Sequence, residues 1–584
     1  MTRGLLVDFT HLFSEPALPI EAYLSGISRL RRLQCVSHLL GYLSQVPAPK
    51  RNHLTDMQQF FGTHSELFSG EVYYRAKVLQ NGGHARLSFL HPKAVLQLYC
   101  FCFERPDEPD TKSEAELEKD LFKACLVLNG PYIAEQERAS AAAKVLLPAQ
   151  PLAAMALALS FSDFELVNMR LLNIAIPQLI KSVRLFEFLE ADTRFAPLLQ
   201  AFLQRFDCRD WPEYFRKMSG VTKPIMQAEN PGRISVEIPD SQPDFEADRA
   251  FLRHFALPEG QPVDKADFTS LRATPLVEET PGTFVLAYPV LVLEAMHKGL
   301  YFQFNAANRS LPKEQREPDW RSVYCDLFSE QYLLYLLLDT VFQGRGLALS
   351  GRAILDGRPL KGQSEPDYYF RHEHRAVLFE SKDVLVHKDA KAGHDFATYF
   401  DEVKKKFHVD GKHPKAAKQL ANNVGRLLRK KLPFDTDFDP AELIIYPVLV
   451  VHDRLYNQPG LNVVVNDWFQ EELAKLEEKP PVHNVRPLII IDIDTLLAYH
   501  EDFRDGRMVF EDVLEEYVAY LHTPAWAGIS AAEDEQRLMQ RIHPFALFLE
   551  NYAEKRDMLG IPKDMLYQLV PLTNRGADDQ QDES

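Results

Sequence analysis

The segment Glu365-Pro366-Asp367-Tyr368-Tyr369-Phe370, a polar turn from Arg371 to Arg375, and the run Ala376-Val377-Leu378-Phe379-Glu380-Ser381-Lys382 place charges at the two ends of an apolar β-hairpin. Charged groups at the end of a buried strand are costly, so their presence there asks for a role. Side chains alternate along a strand, which points Glu380 and Lys382 to one face and leaves Ser381 only its backbone carbonyl on that side. Asp367, opening the neighbouring antiparallel strand, lies across from them. Two carboxylates and a carbonyl make a hard oxygen site suited to Mg²⁺ or Mn²⁺. An ion held by Asp367, Glu380 and Ser381 would acidify a water and neutralise charge on a phosphate. Lys382 would orient that water or stabilise the pentavalent transition state.

With Pro366-Asp367 as one half and Glu380-Ser381-Lys382 as the other, this segment resembles the PD-(D/E)XK, or restriction-endonuclease-like, superfamily. The resemblance covers roughly residues 321 to 500. It implies a mixed-sheet α/β/α domain and a divalent-metal-dependent nuclease, more readily a DNA endonuclease than an RNA one, with prokaryotic defence against foreign DNA as an extension by fold analogy. It also implies an acidic residue on the helix before the hairpin, a place taken by Glu330, and a glutamine on the helix after the third strand, a place taken by Gln419. The aromatic hydroxyl sometimes found four residues further on is replaced by Asn423, a departure from the pattern. The alternative is a protein that keeps the nuclease fold without activity, as a nucleic-acid-binding or scaffold protein.

The dipeptide Pro-Asp occurs six times in the chain, and Glu402-Val403-Lys404 and Glu477-Glu478-Lys479 also match the second half of the pattern. Only the copy at 366 to 382 joins both halves through a hairpin with an apolar second strand. The formal net charge of −17 opposes phosphate binding by the chain as a whole, so a nucleic-acid site must be locally basic. Residues 388 to 431 supply twelve Lys or Arg against five Asp or Glu, and Lys404, Lys405, Lys406, Lys412, Lys415, Lys418 and Arg426 are the candidate backbone contacts. A solvated helix face is the competing explanation of such a run.

Other signals point elsewhere. His372 and His374 fall in the hairpin turn with no third ligand nearby. His452-Asp453 closes an apolar strand and reads as structural or as a pocket rim. Asp492-Ile493-Asp494 is similar to the nucleophile strand of haloacid-dehalogenase-type phosphatases, but Leu496 stands where that pattern needs Thr or Val, and Asp494 reads as a helix cap. Gly344-Arg345-Gly346 is too short for a phosphate-binding loop.

The elements that must position these residues follow from periodicity. A chain of 584 residues exceeds one hydrophobic core, and its 46% apolar content is that of a folded protein. Residues 1–218 read as an all-helical domain, with helices at Ile20 to Leu43, His91 to Phe103, Ala115 to Gln136, Ala175 to Glu190 and Arg194 to Phe206. Ser113 with Glu116, and Ser162 with Glu165, have capping-box spacing. That domain is the place for a partner protein or a second copy of the chain. Residues 219–320 read as a linker and a small mixed segment. Residues 321–575 read as the nuclease-like domain: a helix at Asp326 to Phe342, strands at Leu347 to Ile354, Asp367 to Phe370 and Ala376 to Glu380, a helix at Pro414 to Lys430 and a central strand at Leu443 to Val451. Beyond these come a helix at Asp467 to Leu476, a strand at Pro487 to Ile493, and helices from Thr495 and from Glu511. Residues 576–584 read as a disordered acidic tail. The six cysteines fit neither a disulfide framework nor a zinc site, and the absence of a long apolar stretch predicts a cytoplasmic protein.

Overall fold

In the computed structural model, residues 4–82, 86–167, 170–357, 365–392, 395–476, 484–523 and 531–573 are described. The tail expected at 576–584 and the motif copy at Glu477 to Lys479 lie outside them. The chain divides into two compact units, one of residues 1–137, 165–317 and 568–584, the other of 138–164 and 318–567.

The first unit is mainly helical, with Arg29–Gln45, Pro92–Glu104, Leu171–Ala191 and Trp211–Gln227 among its longer helices. Within residues 1–218, expected as all-helical, Gly4–Leu6 pairs in parallel with Arg86–Ser88, while the antiparallel sheet in which Thr283–Leu286 lies between Ser235–Glu237 and Leu276–Thr280 falls in the segment expected as mixed. The boundary expected at 218 falls inside the helix Trp211–Gln227, whose apolar face, including Val221 and Ile225, stays buried through the supposed linker. The helix expected over Ile20 to Leu43 breaks after Leu24. Gly26 takes a left-handed φ of 70°, and its carbonyl accepts the Thr111 amide at 2.9 Å. Ser113 and Glu116 form the expected reciprocal cap, at 2.9 and 3.4 Å. Glu165 is no cap: it is buried in ion pairs with Lys298 at 2.7 Å and Arg272 at 3.0 Å. None of the six cysteines is in a disulfide. Among the described residues no helix is long and apolar enough to cross a membrane.

The second unit has the order helix, three strands, helix, strand that periodicity predicts, and is α/β. The helices α1 (Val323–Leu334), wound with wider π-type turns, and α2 (Tyr335–Phe342) precede the strands β1 (Leu347–Ser350), β2 (Tyr368–His372) and β3 (Arg375–Lys382). The helices α3 (Phe396–Phe407) and α4 (Ala416–Leu428) lead to β4 (Ile444–Val451), and β5 (Ile489–Asp492) runs into α5 (Ile493–Arg504). The sheet order is β5-β4-β3-β2-β1, with β2 antiparallel to its neighbours β1 and β3, and β4 and β5 parallel to β3. A parallel partner on β3 leaves that strand interior, which is why β3 and β4 are continuous apolar runs.

Both faces of the sheet are covered. On one, Tyr369, Leu378, Leu449 and Val451 pack with Tyr399, Val403 and Phe407 of α3 and with Leu420 and Val424 of α4. On the other, Phe370 stacks on Phe342 at 3.9 Å between ring centroids, and Phe510 closes on Phe342 at 5.4 Å. The strand expected to reach Ile354 stops at Ser350, whose hydroxyl accepts the Ala353 amide at 3.2 Å and starts a short helix, Gly351–Gly357. The helix α3, expected only as a charge run, is amphipathic: Phe396, Tyr399, Val403 and Phe407 are buried, and the Asp395 carboxylate accepts its first amides. The cap of α5 is Asp492, not Asp494. Its carboxylate accepts the Thr495 amide at 3.0 Å and the Thr495 hydroxyl at 2.5 Å.

The hairpin is clamped at its turn end by buried Asp435, which accepts from the Tyr369 hydroxyl at 2.6 Å and from Arg371 Nε at 2.5 Å and Nη2 at 3.0 Å. Removing one member of such a group strands the others, at about 3–5 kcal/mol. The variant Asp435→Ala is therefore expected to unfold at a much lower urea concentration than the parent. A midpoint within error of the parent would show that the clamp contributes nothing.

Candidate active site

The site grows out of the ends of β2 and β3. The register sets Tyr368 opposite Phe379, and the Asp367 amide donates to the Phe379 carbonyl at 3.1 Å, so Asp367 comes to lie beside Glu380. The Asp367 Oδ2 accepts the Ser381 amide at 2.6 Å. Lys382 Nζ donates to Glu380 Oε1 at 2.5 Å, and Glu380 is 1% exposed. Its second oxygen, Oε2, is buried with no hydrogen-bond partner among the described residues. Alternation along β3 turns Ser381 the other way, where its hydroxyl meets His452 Nε2 at 2.9 Å. His452 thus joins the wall behind the site.

Glu330 reaches the same place from α1. The Tyr335 hydroxyl donates to Glu330 Oε1 at 2.9 Å and stands over Gly351, where a Cβ would come within 3.1 Å of it and 3.2 Å of the Asp367 carbonyl. A Cβ there would make these groups give way by a few tenths of an ångström. The Gly351 amide donates to the Asp367 carbonyl at 2.8 Å, so this turn fixes the backbone of Asp367 while Tyr335 fixes Glu330.

Three carboxylates share one ammonium. Burial, then the charge of Asp367, pushes Glu380 up to about 8, and the same two causes push Glu330 up to about 8. Asp367 is raised by burial against the pull of Lys382 and the Ser381 amide. Burial acts to lower the Lys382 ammonium, but Glu380 and Asp367 outweigh it and raise it above the ordinary lysine value. The lysine's charge is thus favoured by its neighbours, and the carboxylates are held above their ordinary range.

Of the sequence-predicted residues, Asp367, Glu380, Lys382 and Glu330 are brought together. Gln419 lies on α4, which packs on β3, with Oε1 buried and without a hydrogen-bond partner among the described residues. Ser381 meets the carboxylates through its backbone amide, which donates to Asp367 Oδ2, while its hydroxyl turns to His452. Among the candidate backbone contacts, Lys405 is engaged by Asp401 at 2.5 Å, Lys406 by Glu402 at 3.0 Å and Lys418 by Glu472 at 3.6 Å. Arg426 is buried and donates to Asn423 Oδ1. Lys404 and Lys412 are exposed and Lys415 is half-buried. Much of the basic run is thus a salt-bridged helix face. His372 and His374 are exposed in the turn, as expected, with Glu373 between them at a left-handed φ of 51°.

Sequence reasoning missed Asp383, next to Lys382. Its Oδ1 and carbonyl accept from Arg321 Nη2 at 2.8 and 2.7 Å, and its Oδ2 accepts from the Ser329 hydroxyl at 2.6 Å. Burial acts to raise Asp383, yet His452 and Arg321 hold it below its ordinary value. It pins the end of β3 to α1, one residue from Lys382. Its only signal was its position after the motif.

Among the described residues no group of three or more His, Cys, Asp or Glu side chains stands ready to hold a metal. The donor chemistry nevertheless fits a hard cation. Half-buried Asp367 and Glu330 repel buried Glu380, whose Oε2 has no hydrogen-bond partner among the described residues, and Lys382 is the cation that the three share. No protein family, curated protein or solved structure matches the chain.

Raised carboxylates make stability depend on pH. In the unfolded chain these groups titrate near 4.3, roughly, while folded Glu380 and Glu330 titrate at about 8. The stability they add is full below the unfolded value and is lost as pH rises through about 8. Melting curves in EDTA should therefore show Glu380→Gln gaining on the parent as pH rises from about 5 to about 9. A constant difference over that range would mean that Glu380 ionises normally.

Proposed function

We propose that this protein is a divalent-metal-dependent nuclease of the PD-(D/E)XK type that hydrolyses phosphodiester bonds, acting most readily on DNA in the cytoplasm. The observation that carries this reading is the gathering of half-buried Asp367, Glu330 and Lys382 around fully buried Glu380 at the ends of two paired strands. Such a group of like charges is costly to fold, and a bound cation offsets it. Asp367, Glu380 and the Ser381 carbonyl are the donors for Mg²⁺ or Mn²⁺, which would supply Lewis acidity toward the phosphate and a more acidic water. Lys382, anchored on Glu380, carries a positive charge to where the pentavalent phosphate develops negative charge. Glu330 completes the acidic wall and Gln419 borders it from α4. Exposed Lys404 and Lys412, with Lys415, attract the nucleic-acid backbone.

One observation favours an inactive nuclease-fold binding protein instead: Lys382 is closed against Glu380 at 2.5 Å, an ion pair able to stabilise the site by itself. The phosphatase alternative is disfavoured, because Asp492 spends both carboxylate oxygens on capping α5.

Incubation with supercoiled plasmid and with single-stranded DNA in Mg²⁺ or Mn²⁺ decides between them. The parent should nick or cut, and Lys382→Ala and Glu380→Gln should each lose roughly 100-fold or more in rate. Cleavage by Lys382→Ala at the parental rate, or none by the parent in either metal, would sink the nuclease reading. In parallel, Mn²⁺ should raise the melting temperature of the parent and leave that of an Asp367→Asn, Glu380→Gln double variant unchanged. Equal shifts in both proteins would place metal binding elsewhere.

A further inference from the structure

In the first unit the helix Glu66–Asn81 turns an apolar stripe to solvent. Val72 and Ala76 are buried and hold the helix to the unit. On the opposite face Leu67, Tyr74 and Val78 follow at seven- and four-residue spacing and are 95%, 70% and 54% exposed. Large apolar side chains aligned in water mark a contact surface. Gly70 lies beside that stripe, three residues after Leu67 and four before Tyr74. A glycine weakens a helix interior, and a Cβ at this one would meet nothing within 4 Å among the described residues, so the packing of the first unit does not ask for it. The charges beside the stripe are sorted by sign along the helix, with Glu66 and Glu71 toward its start and Arg75 and Lys77 toward its end. At 3.6 residues per turn, Glu66 and Lys77 share the flank that carries Gly70, while Glu71 and Arg75, an ion pair, share the other.

We infer that this face binds the same face of a second copy of the chain, the two helices packing antiparallel about a two-fold axis near Val72 and Tyr73. That register sets Leu67 against the partner's Val78 and lays the Tyr74 ring in the recess over the partner's Gly70. It also brings Glu66 to the partner's Lys77 on one flank and Glu71 to the partner's Arg75 on the other. Parallel pairing would set like charges side by side, so the sorting of charge by sign selects the antiparallel arrangement. A stripe that complements itself in shape and charge is what a second copy requires. A lipid surface fits it less well, because an anionic membrane would repel Glu66 and Glu71 on a chain of net charge −17. A helix of 16 residues is about 24 Å long, too short to cover the roughly 800 Å² per partner of a standard interface, so the dimer is weak and forms as concentration rises. The inference is independent of the nuclease reading.

The test is sedimentation velocity on the full chain from roughly 1 to 200 µM, where so small an interface forms. The parent should pass from monomer to dimer across that range. Leu67→Glu and Tyr74→Glu should each raise the dissociation constant by roughly 30-fold or more. Lys77→Glu should raise it roughly five-fold. Adding Glu66→Lys to Lys77→Glu should restore the parental value, an exchange that pairing with the same helix predicts and a different partner does not. All four side chains are exposed, so the variants should melt with the parent; where one does not, the charge-exchanged pair decides. A parent that stays monomeric throughout, or a dimer that survives both Leu67→Glu and Tyr74→Glu, overturns the inference. So does a charge-exchanged pair that dimerises no better than Lys77→Glu alone. Flotation with vesicles of phosphatidylcholine and phosphatidylglycerol runs in parallel. A monomeric parent that floats with them, and a Tyr74→Glu variant that does not, would assign the face to a lipid surface instead.

Discussion

Like charges held together at the partly shielded end of the sheet are the constraint around which the second unit is arranged. Asp367, Glu380 and Glu330 arrive from the start of β2, from β3 and from α1 and share Lys382, so ionising all three would leave an excess of negative charge around buried Glu380. Such an arrangement persists only where the surrounding fold is strong enough to hold it. Here the strength comes from a sheet covered on both faces, with Phe342, Phe370 and Phe510 on one side and the packed helices α3 and α4 on the other. The apolar interior of β3 gives way to charge only at its last residues, where the parallel partner β4 also ends.

A second tier of bonds keeps each charged group where it stands. Asp383 ties the end of β3 to Arg321 and Ser329, Tyr335 holds Glu330, and the Gly351 turn holds the Asp367 backbone. Ser381 and His452 join β3 to the end of β4 on the opposite side. The supports come from helices, strand ends and one tight turn, the elements that place side chains most precisely.

The distribution of charge outside the site is governed by a different balance. The helix α3 neutralises Lys405 and Lys406 against its own acidic residues one turn earlier, at little net energy, so those lysines act mainly to keep the helix solvated. What remains cationic is a smaller set near the Val409–Asp410 and His413–Pro414 hairpin. A chain of net charge −17 can thus present a local positive surface without a large positive field.

The sequence by itself determined the α/β character of the second unit, the hairpin, and the meeting of Asp367, Glu380 and Lys382, because these depend on a two-residue alternation and a short turn that any neighbouring context preserves. It also fixed the Ser113 cap, which is local. Tertiary structure decided what depends on distant partners. Asp492, not Asp494, caps α5, since the strand ends one residue before the helix begins. Ser350 ends β1 early, the sheet in the first unit gathers strands separated along the chain, and Trp211–Gln227 runs through a polar stretch because one of its faces is covered. Asp383, Tyr335 and Gly351 carry no pattern that a sequence displays. Their roles arise only when α1, the β1 turn and the end of β3 are brought within hydrogen-bond reach, and a burial-driven rise in a carboxylate's pKa has no counterpart in an extended chain.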